Sequence, residues 1–246
     1  MHDLLNYQGI LLSGAWLTLQ VALLSLLLAV TLGMFGALAK LSDLTFLRVI
    51  ATLYTTVIRG IPDLILMLLI FFGGQVLINS LSYDFNEWLN QVVTYFDASH
   101  EWYAFLPDYI DVSPYFAGII TIGFIFGAYM AETFRGAYLS VDKGQLEAAT
   151  AYGMTKAKIF IRIMFPQMMR HALPGIGNNW LVLLKTTSLV SIIGLQDMVK
   201  TAGDASGSTQ QPFTFYLAVA IIFLFFTSVS SSMLTHLEHK YSIKVR

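Results

Sequence analysis

Apolar positions run through this chain in stretches too long for a soluble helix and too unbroken for a half-buried strand. No Asp, Glu, Lys or Arg occurs between Asp3 and Lys40, and about 20 mainly apolar residues suffice for a helix to cross about 30 Å of hydrocarbon. The first stretch therefore predicts an interfacial segment followed by a span over about 13–39. A second span runs over about 47–80 and is interrupted by Arg59-Gly60-Ile61-Pro62-Asp63. Further spans are expected over about 114–141, 173–195 and 212–237. The pattern predicts an all-α, polytopic membrane protein with about five transmembrane helices. It reads as a single membrane domain over 1–246, without internal repeats.

Lys and Arg in short loops resist translocation, so they set the orientation. Lys40 and Arg48 fall between spans one and two. Arg135, Lys143, Lys156, Lys158, Arg162 and Arg170 fall between three and four, and Lys240, Lys244 and Arg246 follow the fifth. The connection 83–111 holds Asp84, Glu87, Asp97, Glu101, Asp108 and Asp111 without one Lys or Arg, and the loop after span four has only Lys200 beside Asp197 and Asp204. The N-terminus is thus expected outside and the C-terminus inside. Trp88, Tyr95, Trp102, Tyr103 and Tyr109 of the outer connection either sit at the headgroup layer or pack a small loop fold.

Of the 246 residues, 56% are hydrophobic and 12% charged, against roughly 45–50% and 25% in soluble domains. Fourteen Lys and Arg against 15 Asp and Glu leave a formal net charge of -1, which provides no basic field for nucleic acid. The absence of cysteine removes disulfides, thiolate metal sites and Cys nucleophiles. Met1-His2-Asp3 carries no basic n-region, so the first segment is expected to be retained as a membrane helix rather than cleaved. The patterns G-x-x-x-x-G-K-[ST], H-E-x-x-H and G-x-S-x-G are missing, and His2, His100, His171, His236 and His239 show no ligand spacing. The chain is expected to carry no catalytic site, cofactor or metal of its own.

Between spans three and four, Lys143 through Gly153 favours a helix ending in glycine, and Ile159, Phe160 and Ile163 recur at helical spacing. Two short helices meeting at a sharp turn are expected, either as a knob for a soluble partner or as an amphipathic connector on the membrane surface.

The residues here resemble a known family. Glu147-Ala148-Ala149, three residues, Gly153, nine residues, Ile163, one residue and Phe165-Pro166 are similar to the Glu-Ala-Ala loop of bacterial ABC importer permeases, with Phe165 where that family usually has Leu. Arg59-Gly60-Ile61-Pro62, Ala131-Glu132-Thr133-Phe134-Arg135-Gly136-Ala137, Met164-Phe165-Pro166-Gln167, Ala172-Leu173-Pro174 and Leu184-Lys185-Thr186-Thr187-Ser188-Leu189 resemble the polar amino acid uptake branch. Within it, Arg59-Gly60-Ile61-Pro62-Asp63-Leu64 and Leu173-Pro174-Gly175-Ile176-Gly177-Asn178-Asn179-Trp180 look most like the first permease subunit of histidine/lysine/arginine/ornithine transporters. The segment 83–111 is longer than is usual there.

The resemblance implies the type I (MetI-like) permease fold of ABC importers in a bacterial inner membrane, with a periplasmic N-terminus and a cytoplasmic C-terminus. It implies a heterodimer with a second permease, an ATP-binding subunit dimer that holds ATP and Mg, and a periplasmic amino acid binding protein, all set among membrane lipid. The loop over about 141–166 would be the coupling element, with Glu147, Ala148, Ala149 and Gly153 seated in an ATPase groove.

Ionisable side chains within spans are expensive and so are candidates for function. Asp63 follows the helix-breaking Pro62 and would meet a cationic substrate, cap the half-helix starting at Leu64, or pair with Arg59. Lys185 precedes Thr186, Thr187 and Ser188, a polar cluster expected to form one hydrated surface. It would meet a substrate carboxylate or form a gating salt bridge to Asp63, and the two should share one cavity. Glu132 has the spacing to pair with Arg135, an architectural more than a selective role. Asn178 and Asn179 follow Gly175 and Gly177, where an interrupted helix would offer amides to ligand or start anew at Trp180. Gly33, Gly36 and Ala37, with Gly123 and Gly127, are read as helix packing. The leading expectation is a permease subunit of an ATP-driven importer for polar, basic amino acids. The alternative is a proton- or ion-coupled secondary transporter or channel working without an ATPase.

Overall fold

Helix α1 (His2–Leu41) runs unbroken for 40 residues, about 60 Å at 1.5 Å per residue. The computed structural model describes residues 2–96, 105–107 and 109–241, with side chains from residue 6 onward. Met1, Asp97, His100, Glu101, Trp102, Tyr103, Asp108, Lys244 and Arg246, and the side chains of His2 and Asp3, lie outside the described residues. The expected separate interfacial segment before residue 13 is corrected to the first turns of α1. They have a partner to pack on: Leu11 and Ala15 are buried with Met198, Ala202, Ala205 and Phe215. The Tyr7 hydroxyl lies 3.1 Å from Ser208 Oγ, and its ring stands edge-on to Phe215 at 5.6 Å.

The interrupted second span is two helices, α2 (Thr45–Gly60) and α3 (Asp63–Phe96). Ile61 is extended (φ -110°, ψ 139°), as a residue before proline prefers, and the Pro62 carbonyl accepts the first bond of α3 from Leu66 N–H at 3.1 Å. Helix α4 (Pro114–Leu139) follows, with its proline in the first turn, where a missing N–H costs nothing. It is the most enclosed helix, burying Ile122, Ile125, Phe126 and Met130.

Small residues set the α1–α4 distance. A Cβ on Gly33 would fall 2.4 Å from Met130 Cβ, one on Gly123 2.6 Å from Leu28, and one on Gly127 2.9 Å from Leu32 Cβ. Side chains there would force the helices apart at about 1–3 kcal/mol each, so the packing expected of these glycines is present.

Beyond α4 come α5 (Lys143–Ala151) and α6 (Lys156–Ile159). A π-helical turn (Phe160–Met164) then leads without a break into α7 (Phe165–Thr186). A 3-10 turn (Thr187–Ser191), α8 (Met198–Thr209) and α9 (Pro212–Tyr241) complete the order, and no strand occurs among the described residues. Residues 6–41 of α1, and α3, α4 and α9, are long and apolar enough to cross a membrane. A helix, α7, stands where the fourth span is expected, but it begins eight residues earlier, ends before the 3-10 turn, and is not among the four helices long and apolar enough to cross a membrane. Arg170, His171, Asn178, Asn179 and Lys185 make it more polar than the other four. It is held by protein, packing against α4 and α9. Exposed Leu69, Phe72 and Val76 on α3, with Leu217, Ile221 and Leu224 on α9, are apolar surface suited to lipid or a partner subunit rather than water.

Candidate functional site

The knob between α4 and α7 is built by caps. Asp142 Oδ1 accepts from Gly144 N–H at 2.7 Å and starts α5. At the other end Gly153 adopts φ +76°. Its N–H donates to the Thr150 carbonyl at 2.9 Å while Met154 N–H reaches back to Ala149 at 3.1 Å. This paired closure of a helix end needs a left-handed residue; only glycine takes that backbone without strain. The expected sharp turn is present, but the second short helix is not separate, since α6 and the π-helical turn run on into α7. An open groove of about 680 Å³ lies between the arms, lined by Ala148, Ala149, Tyr152, Arg162, Pro166 and Arg170 among others. Gln167 Nε2 donates to Gln145 Oε1 across it at 2.6 Å. Glu147, Ala148 and Tyr152 face outward, and Ala149 is buried.

Asp63 opens α3, with Ile61 and Pro62 between it and the end of α2. Neither it nor Arg59 forms an ion pair among the described residues, so the expected Arg59 partner is not engaged. Arg59 lies instead over the Tyr129 ring at 5.4 Å. Beside Arg59 and Tyr129 is an open cavity of about 380 Å³ lined by Thr55, Thr56, Arg59, Gly60, Tyr129 and Glu132.

Lys185 is exposed and makes no ion pair with Asp63, and neither borders this cavity. The expected hydrated cluster beyond it is corrected: Thr186 and Thr187 are buried, and their hydroxyls donate to the Val182 and Leu184 carbonyls at 3.1 and 2.7 Å. The expected interruption near Asn178 is also absent, because α7 continues through Pro174, Gly175 and Gly177. Those glycines permit close approach instead. A Cβ on Gly175 would meet Thr133 Cγ2 at 2.6 Å, and one on Gly177 would meet Leu234 at 3.2 Å. Asn178 is exposed, whereas Asn179 Nδ2 donates to Thr133 Oγ1 at 3.0 Å and so ties α7 to α4.

Glu132 pairs with Arg135 as its spacing predicts, Nε to Oε2 at 3.2 Å. Its stronger partner is one that loop-charge reasoning missed. Lys40, with a side chain only 10% exposed, bonds Glu132 Oε1 and also donates to Thr55 Oγ1 at 2.7 Å. Equally unforeseen is a ladder of side chains on α3. Gln75, Asn79, Ser82 and Asn86 line one face of the helix at spacings of four, three and four, and bind the backbone of the returning segment that ends at Val112. Asn79 accepts from Ile110 N–H at 2.7 Å, Ser82 donates to the Pro107 carbonyl at 3.1 Å, and Gln75 accepts from Val112 N–H at 2.8 Å. Asn86 donates to the Leu106 carbonyl at 2.9 Å and accepts from Phe105 and Leu106 N–H. These side chains act like the edge of a sheet and satisfy backbone that has no strand partner. The only advance signal was this polar stripe in a largely apolar run. Trp88, Tyr95 and Tyr109 stay exposed, so they do not pack a loop core.

Among the described residues no group of three or more His, Cys, Asp or Glu is placed to hold a metal. Residues 10–243 match a family model described as binding-protein-dependent transport system inner membrane component. The chain is 48% identical over 243 residues to the histidine/lysine/arginine/ornithine transport system permease protein HisQ of Escherichia coli K12, covering 99% of this chain and 98% of that one. It is 36% identical over 230 residues to the arginine ABC transporter permease protein ArtQ of the same organism, with 93% of each covered. Its fold also matches a chain from the crystal structure of an amino acid ABC transporter with histidines, at TM-score 0.75 and 28% identity over 96% of both. A glycine-closed knob beside a bundle of long apolar helices is thus joined by likeness along nearly the whole chain, and the chain belongs to the family of binding-protein-dependent transport system inner membrane components.

Proposed function

We propose that this chain is the permease subunit of an ATP-driven importer for basic amino acids, supplying half of a translocation path and one docking lever. Asp63 carries the substrate reading: a carboxylate without an ion-pair partner among the described residues, at the first turn of a helix that starts after a break. Such a group suits a cationic side chain. Full-length likeness to permeases named for histidine, lysine, arginine and ornithine supports the same chemistry.

The loop over 141–166 is the coupling element, and Glu147, Ala148, Ala149 and Gly153 seat it on an ATPase subunit that holds ATP and Mg. A second permease completes the path, and a periplasmic binding protein delivers substrate at the end away from α5. The N-terminus is then periplasmic and the C-terminus cytoplasmic, in a bacterial inner membrane. Of the other candidates, Glu132, Asn179 and Thr186 are committed to protein partners and serve architecture, while Lys185 and Asn178 remain open to substrate or to the second permease. Glu132, held between two cations, is not free to relay protons.

The test is uptake by the complete transporter in proteoliposomes. Asp63→Asn should lower arginine uptake by about tenfold more than glutamine uptake, the scale of one lost charge-assisted contact. Equal losses for the two would remove Asp63 from selectivity.

A further inference from the structure

We propose that the cavity between α2 and α4 binds the carboxylate of the transported amino acid, with Arg59 as its anchor. This rests on the amino acid reading above and adds the second end of the ligand.

The cavity has donors in excess. Arg59 presents its guanidinium there, and neither it, the Thr56 hydroxyl nor the Tyr129 hydroxyl makes a hydrogen bond among the described residues. The one carboxylate on the wall, Glu132, has each oxygen engaged, Oε1 by Lys40 and Oε2 by Arg135. It therefore does not neutralise Arg59. An unpaired guanidinium beside two unengaged hydroxyls, with the carboxylate on the wall already taken, suits an anion, and a planar guanidinium matches a carboxylate in paired hydrogen bonds. Stacking over Tyr129 holds the Arg59 group in place without using its N–H donors. At about 380 Å³ the space falls within the range of small-ligand sites.

Asp63 supplies the complementary charge. It lies four residues beyond Arg59, across the break at Pro62, and the two charges do not pair with each other. Arg59 lines the cavity and Asp63 opens the next helix outside its wall, so two unpaired opposite charges flank the Pro62 break, an arrangement suited to a ligand that carries both. The carboxylate would meet Arg59 and the cationic side chain Asp63, so Arg59 takes the part that charge reasoning on the sequence gave to Lys185.

The experiment measures binding of labelled L-arginine to the purified permease–ATPase complex, competed by agmatine, which lacks the carboxylate, and by citrulline, which lacks the cation. In Arg59→Gln the preference for arginine over agmatine should fall about tenfold, while the preference over citrulline stays unchanged. Arg59→Lys should retain part of the first preference, and Thr56→Val should lower it by about threefold; both guard against a misfolded Gln variant. Co-purification of the ATPase reports assembly. An unchanged arginine-to-agmatine ratio in the assembled variants would overturn the carboxylate site alone. A wild-type complex that binds neither arginine nor citrulline would overturn the functional reading with it.

Discussion

Lys40 in the last turn of α1 is paired with Glu132 of α4, 92 residues away in sequence, and the same ammonium holds Thr55 of α2. One buried cation thus joins three helices at a single point, and Arg135 neutralises the opposite oxygen of the same carboxylate.

Removing the ammonium should therefore cost more than a surface charge would. Lys40→Met leaves Glu132 half-neutralised in a partly buried site and should destabilise the complex by about 1–3 kcal/mol. The double variant with Glu132→Gln should recover part of that loss. Thermal unfolding of the purified transporter measures both. Additive losses would mean that the two side chains do not interact.

The α3 ladder gives a local prediction. Asn86→Leu keeps the branching and heavy-atom count of the side chain and removes three hydrogen bonds to Phe105 and Leu106. Amide exchange at 105–107 should accelerate by about tenfold or more, with α4 unaffected. Unchanged exchange would show that the returning segment is held by something other than these amides.

Asp197 links stability to pH. It is wholly buried at the start of α8, where Oδ1 caps Lys200 N–H at 2.9 Å and Oδ2 has no partner. Burial pushes its carboxyl up to about 6 from 3.8, against backbone N–H groups at the start of α8 that act the other way. The folded state then binds a proton that the unfolded chain has already released between those values. The fold gains stability as pH falls from about 6 towards 4, and loses it as pH rises through about 6. Asp197→Asn keeps the cap acceptor and cannot ionise. At pH 7.5 it should exceed wild type by on the order of 1–3 kcal/mol, and by pH 4 the gap should close. A pH-independent gap in Tm would remove ionisation as its cause.

What could be read in advance was whatever backbone chemistry decides locally. Pro62 cannot continue α2, Gly153 can adopt a positive φ, and runs of apolar residues need a nonaqueous environment. Contacts between distant residues were legible only through indirect signs. Lys40 looked like a loop charge because hydropathy counts it as a boundary and cannot see Glu132 beyond it. Gly175 and Gly177 suggested a break because glycine serves both to loosen a helix and to admit a neighbour; only the packed positions of Thr133 and Leu234 decide between these. The α3 ladder binds backbone atoms, which every residue possesses, so no partner residue type could have announced it.

The central claim is that the knob around Gly153 lets a partner's ATP hydrolysis drive transport through this chain. The most direct measurement is uptake of labelled arginine into proteoliposomes, comparing the complete transporter with the purified chain alone. The account predicts uptake only by the complete transporter, dependent on ATP hydrolysis and abolished by Gly153→Val. Uptake by the chain alone under a proton gradient, without ATP, would contradict it.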